Sequence, residues 1–283
     1  YFIYPTPMNE SAANVKYHSP QSGKTYKGCI LSAVTQSSTI DNSIVYSNNG
    51  VAGITLSNSH IQESGGNLSD YTALTNSRLG SLNYDVTSTM TGLTIDSLSQ
   101  STVNVLNATR CKFLAQSGTV TLAGGATLTE CYFEGTWQHA IANGQTYSIN
   151  HSTWNGSAEF NTATGPTAWT SENCIFLNLT FPDITTGNEV DILYGGIVGT
   201  LTGVDAGENV RRDNPLFAPG TDGKLQRTLD GFLQDSPYIR QASDTNASTG
   251  SNKDLGAYNI DDSLIVADYG TSVYLPKPNS QSS

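Results

Sequence analysis

The sequence predicts an all-β solenoid, a single elongated domain of about nine to eleven stacked parallel coils. Three observations predict it. A six-residue phrase recurs from Tyr26 to Phe176: apolar, two polar or small residues, a small residue, any residue, apolar. Its nine copies, aligned on the small residue at 29, 43, 59, 77, 93, 111, 131, 152 and 174, lie 14 to 22 residues apart, and repeats of this kind built from strands mark a solenoid. Charged residues make up only 13% of the chain and apolar residues 37%, which suits a thin core with many polar turns.

The phrase has a physical reading. In its second half the pattern small-x-apolar has period two, so Cys131 and Phe133 face one way and Tyr132 the other. The polar pair before it, as in Thr75-Asn76 or Ser57-Asn58, is turn chemistry, because Asn tolerates the left-handed backbone and bonds its own main chain. Each copy is therefore a strand end, a sharp bend and a new strand. Further strand pieces at 54–56, 103–105, 120–122 and 158–160 supply other faces of the coils.

Residues 1–25 lack the phrase and read as an extended N-terminal lead-in that caps the first coil, since an uncovered coil leaves a sticky edge. The parallel solenoid occupies 26–210, with one or two degenerate coils after 180. Residues 211–262 form a C-terminal closing segment, and 263–283 an exit strand and linker. Because the chain starts at Tyr1, it is expected to be processed or to be a piece of something longer.

The net charge of −11 makes nucleic acid and anionic membrane poor partners, and no stretch is long and apolar enough to span a bilayer. All four cysteines, Cys29, Cys111, Cys131 and Cys174, take the small position of the phrase. A disulfide between stacked neighbours is one reading. Parallel side chains suit a bridge poorly, so the other reading, buried free thiols acting as small fillers, is preferred.

The segments Asp213 to Phe217, Ser236 to Ile239 and Asp254 to Tyr258 occur in that order. They resemble the closing segment of right-handed parallel β-helix proteins, with departures at Asn214, Tyr238 and Arg240. The column Asn42, Asn58 and Asn76 resembles the asparagine ladder of pectate-lyase-like members. The resemblance implies a right-handed parallel β-helix and no particular activity, because polysaccharide lyases and hydrolases, phage tailspikes and bacterial surface proteins share that architecture.

Candidate chemistry is sparse. Arg110 and Glu130 are neighbours on adjacent coils, either a lyase-like base beside a carboxylate or a surface ion pair. Glu130 or Glu134 with Glu159 could stand as the two carboxylates of a hydrolase. Trp137, His139 and Trp169 fall in the longest stretches between copies of the phrase, read as loops, where rings could stack on sugar faces or else cover the solenoid. No tight carboxylate cluster and no grouped histidines suggest a metal, so neither metal nor cofactor is expected. Ile30, Ile44, Tyr132 and Ile175 share an outward column, read as an exposed apolar strip for the N-terminal segment or for another subunit, such as a homotrimer bundled on it. The functional expectation is a non-catalytic extracellular rod, a phage tail or spike component or a cell-surface adhesin, presenting loops to a cell-surface glycan or to other subunits. The alternative is a polysaccharide lyase or glycoside hydrolase on the same fold.

Overall fold

The computed structural model describes residues 21–257, apart from 84–87, 100–101, 104–105, 118, 163–167, 183–188, 206, 208, 220–222 and 246–250. The lead-in up to residue 20 and the exit strand and linker at 263–283 lie outside the described residues. The chain folds into the expected parallel β-solenoid. Strand Thr25–Lys27 begins one sheet of ten strands that ends at Glu189–Leu193. Among the described residues the second sheet has fourteen strands, ten of them on a continuous path from Ile30–Val34 to Gly196–Ile197. Each coil gives one strand to each path, and the ladders run parallel.

The register is the one the phrase dictates. Across the second sheet Ile30 pairs with Ile44, Ile44 with His60, His60 with Arg78 and Arg78 with Thr94. The same alignment continues through Lys112, Tyr132, Thr153 and Ile175 to Gly196. A slip of one residue would turn every side chain to the other face, so the inward apolar column holds the stacking in place.

The bend between the two sheets uses one left-handed residue per coil. Gly28, Asn42, Asn58, Asn76, Gly92, Arg110, Glu130, His151, Asn173 and Tyr194 all have φ between 44° and 65°. This explains the asparagines: they are chosen for backbone conformation, at a site where most residues are strained. At Asn58 the side chain does not bond a stacked asparagine. Asn58 points outward and donates to Asp41 Oδ1 at 3.0 Å.

The ladder that does run through the bend is one residue further on. Ser43 Oγ donates to Asp41 O (2.8 Å) and accepts from Cys29 N (3.0 Å). Ser59 repeats this with Ser57 O (2.7 Å) and Ser43 N (3.0 Å), and Ser77 with Thr75 O (2.8 Å) and Ser59 N (3.2 Å). Cys29, Cys111, Cys131 and Cys174 are not in disulfides, are buried, and donate to the carbonyl two residues back in the same way. The expectation of unbridged thiols holds, and the position wants a small donor as well as a small volume. Burial pushes the Cys174 thiol up to about 12. Ser59→Ala, which leaves Ser43 N–H buried without its acceptor, should cost about 1–2 kcal/mol in urea unfolding. Ser59→Cys should cost less than half of that.

The core changes character along the rod. The inward column of the second sheet runs Leu31, Val45, Ile61, Leu79 and Ile95, then Phe113, Phe133, Trp154 and Phe176, all buried. The rings stack at rung spacing: Phe113 on Phe133 at 4.7 Å, Phe133 on Trp154 at 4.3 Å, Trp154 on Phe176 at 4.8 Å. Coils whose repeats lengthen toward the C-terminus enclose a wider cross-section, and aromatic side chains fill it. The added residues extend strands instead of forming loops, as in Tyr132–Ile141 and Thr153–Thr162, paired over their full ten residues.

The segment after the coils begins on the last rung of the rod. Arg211 pairs with Gly196 as a last single bridge, and the chain then folds back onto the outer flank of the second sheet. Ile175, Leu225, Tyr238, Ala242 and Leu255 form a second apolar cluster there. The three motifs of the closing segment meet one another. Ser236 Oγ donates to Pro215 O, Tyr238 Oη to Asp213 O (2.7 Å), and Leu255 N to Tyr238 O (3.1 Å). A Cβ on Gly196 would lie 2.3 Å from the Tyr238 ring, so the glycine and the unexpected tyrosine are one device.

Candidate functional site

Arg110 and Glu130 are brought together as expected, while Glu134 and Glu159 are not. Arg110 and Glu130 occupy consecutive left-handed bends, Nε to Oε2 4.0 Å, with side chains 42% and 21% exposed. An ion pair so exposed contributes about 0–1 kcal/mol. Glu134 is exposed on strand Tyr132–Ile141 and stands opposite Asn155, while Glu159 on the next rung stands opposite Gln138. Four residues of strand separate Glu134 from Gln138, roughly 13 Å. That is wider than the roughly 5–10 Å that glycoside hydrolysis asks of two carboxylates. Glu159 accepts from Asn161 Nδ2 at 3.0 Å and from Gln138 Nε2 at 3.5 Å.

The carbohydrate-stacking assignment of Trp137, His139 and Trp169 needs correction. They lie on strands and face the core, 0%, 1% and 1% exposed. Their rings pack on Phe133, Phe160 and Phe181 and have no free face for a sugar. The alternation Trp137-x-His139-x-Ile141 carried this information, because three period-two residues point to one face of a strand. The apolar strip is likewise not an open contact surface: Ile30, Ile44, Tyr132 and Ile175 are all buried. Gly223 lies on Tyr132, and Gly256 lies on Ile175, so the chain's own closing segment covers those rungs.

The fold-back creates a polar latch with a cleft beside it. His151, 3% exposed in its side chain, donates from Nε2 to Asp244 Oδ1 at 2.7 Å, since a carboxylate oxygen accepts. Lys253 Nζ reaches the other oxygen of Asp244 at 2.8 Å. Burial pushes the Asp244 carboxyl up, but Lys253 and His151 outweigh it and hold it below the usual range. Asn173 Oδ1 accepts from Ser243 N at 2.8 Å, and Ser243 Oγ donates to Glu172 Oε1. Further on, Ala257 N donates to Thr153 Oγ1 at 2.9 Å and Gly256 N to Asn173 O at 2.7 Å. His151 and Asp244 are 93 residues apart, and no local motif marks either one.

The cleft, of about 480 Å³, lies between the last rung and the folded-back segment. Arg211 and Arg240 line it with Tyr194, Gln241 and Ser243, over a floor that includes buried Ala242 and Leu255. Arg211 donates to Gln241 Oε1 at 3.0 Å and pairs with Asp213 at 3.0 Å. Arg240 is exposed, and its guanidinium has no hydrogen-bond or ion-pair partner among the described residues. Its backbone N–H donates to Asp254 Oδ1 at 2.9 Å, a carboxylate that Arg227 also holds. Its charge also acts on the Asp235 and Asp254 carboxyls and pulls both downward, so it is not an isolated positive charge. Among the described residues no three His, Cys, Asp or Glu side chains converge as ligands for a metal ion. Comparison of the chain with family models, with curated proteins and with solved structures finds no match.

Proposed function

We propose that this chain is a non-catalytic extracellular rod, a component of a phage tail or spike or of a cell-surface adhesin, that binds a glycan or a protein partner. In the resemblance drawn from its closing segment, the rod is right-handed. One observation carries the reading. Among the described residues no carboxylate lines the cleft, and those beside its lining are engaged, Asp213 by Arg211, Asp244 by His151 and Lys253, and Glu172 by Ser243. A general acid or base must meet a substrate proton within hydrogen-bond reach, and groups engaged in this way serve the scaffold instead. Arginine and amide residues around a formed concavity serve binding.

A protein partner would meet a different surface from the one the apolar strip suggested. Leu229 and Leu233 stand 91% and 103% exposed on the turn beside Asp235. The turn is held in shape by Asp235 Oδ1, which accepts from Thr228 N at 2.7 Å and Thr228 Oγ1 at 3.0 Å. The test of the reading is retention of the protein on a panel of immobilised bacterial and animal surface oligosaccharides, with light scattering run alongside. Retention on a defined subset supports the glycan arm. A stable trimer whose mass falls to the monomer in Leu229→Ser/Leu233→Ser supports the subunit arm. No retention and an unvarying monomer would sink the proposal.

A further inference from the structure

We infer that the outward column of the second sheet, from Lys112 back to Ile30, is the docking face for the chain's own residues 258–267, which lie outside the described residues. The inference goes beyond the reading above and stands whether or not the rod binds a glycan. The column alternates with the inward one, so its side chains point away from the solenoid core. They are nevertheless buried: Ile30 is 6% exposed, Ile44 7%, Thr94 0% and Lys112 6%. Among the described residues Ile30 and Ile44 belong to neither apolar cluster. On the rung after Ile44, His60 Nε2 is shut off from solvent and has no hydrogen-bond partner among the described residues. The strip is therefore covered, and the cover continues the one that Gly223 and Gly256 give to Tyr132, Thr153 and Ile175.

The direction of the chain names the occupant. Gly256 N donates to Asn173 O at 2.7 Å, on the coil of Ile175, and Ala257 N to Thr153 Oγ1 at 2.9 Å, one rung nearer the first coil. Six rungs separate Thr153 from Ile44. At about 4.8 Å each they span roughly 29 Å, which an extended chain crosses in about nine residues. Counted from Ala257, Leu264-Ile265-Val266 reaches His60 and Ile44, beside Ile30, while Asp261 and Asp262 fall between Lys112 and Arg78. The order matches in charge and polarity: acids meet the two cations, and apolar residues meet the two isoleucines. Arg78 is also paired with Asp96 at 2.9 Å, so the apolar contact carries most of the docking. The period of two places Asp262, Leu264 and Val266 on one side of an extended chain. The lead-in is the poorer occupant. Ser22 N donates to Gln36 Oε1 at 2.7 Å and Gly23 N to Ser37 O at 2.9 Å, beyond the end of strand Ile30–Val34 that lies away from Ile30. Docking of residues 258–267 takes the strip away from a second copy of the chain.

The test is cross-linking in the whole chain. Ile44→Cys is combined with Leu264→Cys or with Val266→Cys, oxidised mildly and read by mass spectrometry of unreduced peptides, and Ile44→Cys/Ile3→Cys reports the lead-in. A bridge needs Cβ atoms within about 4.5 Å, and the native thiols are buried and compete poorly. At least one of the first two pairs should bridge within a monomer, and the lead-in pair should not. Leu264→Asp/Val266→Asp should uncover the strip, raising hydroxyl-radical labelling of Ile30 and Ile44 toward that of Leu229, which stands 91% exposed. Bridges confined to the lead-in pair, or formed only between two molecules, would overturn the inference in favour of the lead-in or of a second copy. So would no bridge at all, or labelling of Ile30 and Ile44 that is the same in Leu264→Asp/Val266→Asp as in the parent.

Discussion

Arg227→Leu should lower the free energy of unfolding by about 3–5 kcal/mol, the loss expected when one member of a buried ion pair is removed. Asp254 is 2% exposed in its side chain and Arg227 19%, and the two are paired within the fold-back. Burial already pushes the Asp254 carboxyl above its ordinary 3.8, against Arg227 and the Arg240 N–H, which pull the other way. Without Arg227 the carboxylate keeps one donor and its pKa rises further. A carboxyl raised in the folded state destabilises most where it must be ionised, so the penalty should be full at pH 7 and relax as the pH falls toward the raised value. Urea unfolding at pH 7 and pH 5 reads both effects. Arg227→Leu/Asp254→Leu, which removes both charges, should recover much of the loss. A single variant within 1 kcal/mol of the parent at pH 7 would refute the buried pair as the clasp of the segment.

The second large effect is acid sensitivity centred on His139. The ring is 1% exposed, stacked between Trp137 (6.1 Å) and Phe160 (5.0 Å), and neither nitrogen has a hydrogen-bond partner. Burial pushes its pKa from the ordinary 6.5 down to about 4. The folded chain therefore refuses a proton that the unfolded chain accepts between those values. Stability is intact above about 6.5, falls through the window, and by pH 4.5 should be lower by about 2–3 kcal/mol from this group alone. His139→Phe, which places a ring like those of Phe133 and Phe160 in the same stack, should remove that part of the decline while leaving stability at pH 7.5 similar or higher. An identical pH profile in parent and variant would show that the ring is not the sensitive group.

The regular part of the fold was legible because the signal repeats. The small residue of each phrase gave the register rung by rung, from Ile30 with Ile44 to Thr153 with Ile175. The next rung, Ile192 to Ile197, was dimmer because Gly195 and Gly196 replace the usual side chains, one of them to admit Tyr238. Placement of the tryptophans was not legible from spacing, since a longer gap between phrases can be a loop or a longer strand. Only the alternation within the gap decides, and here it decides for strand. The hydroxyl and thiol ladder could have been found from Ser43, Ser59, Ser77 and Cys131 sharing one column, had the column been read for donors and not for size alone. The latch and the cleft could not be found. They depend on where residues 211–257 settle against the flank, and contacts such as His151 with Asp244 join residues that no local pattern relates.

The central claim, a rod that holds a saccharide without cutting it, is tested most directly by counting chain ends. Each glycan that retains the protein is incubated with it at micromolar concentration for a day, and the mixture is read by mass spectrometry for reducing ends and for unsaturated ends. The account predicts that every retained glycan is recovered at its starting length, with and without added Ca²⁺. New chain ends that accumulate with time and disappear in Glu130→Gln, Glu134→Gln or Glu159→Gln would contradict it and make the rod an enzyme.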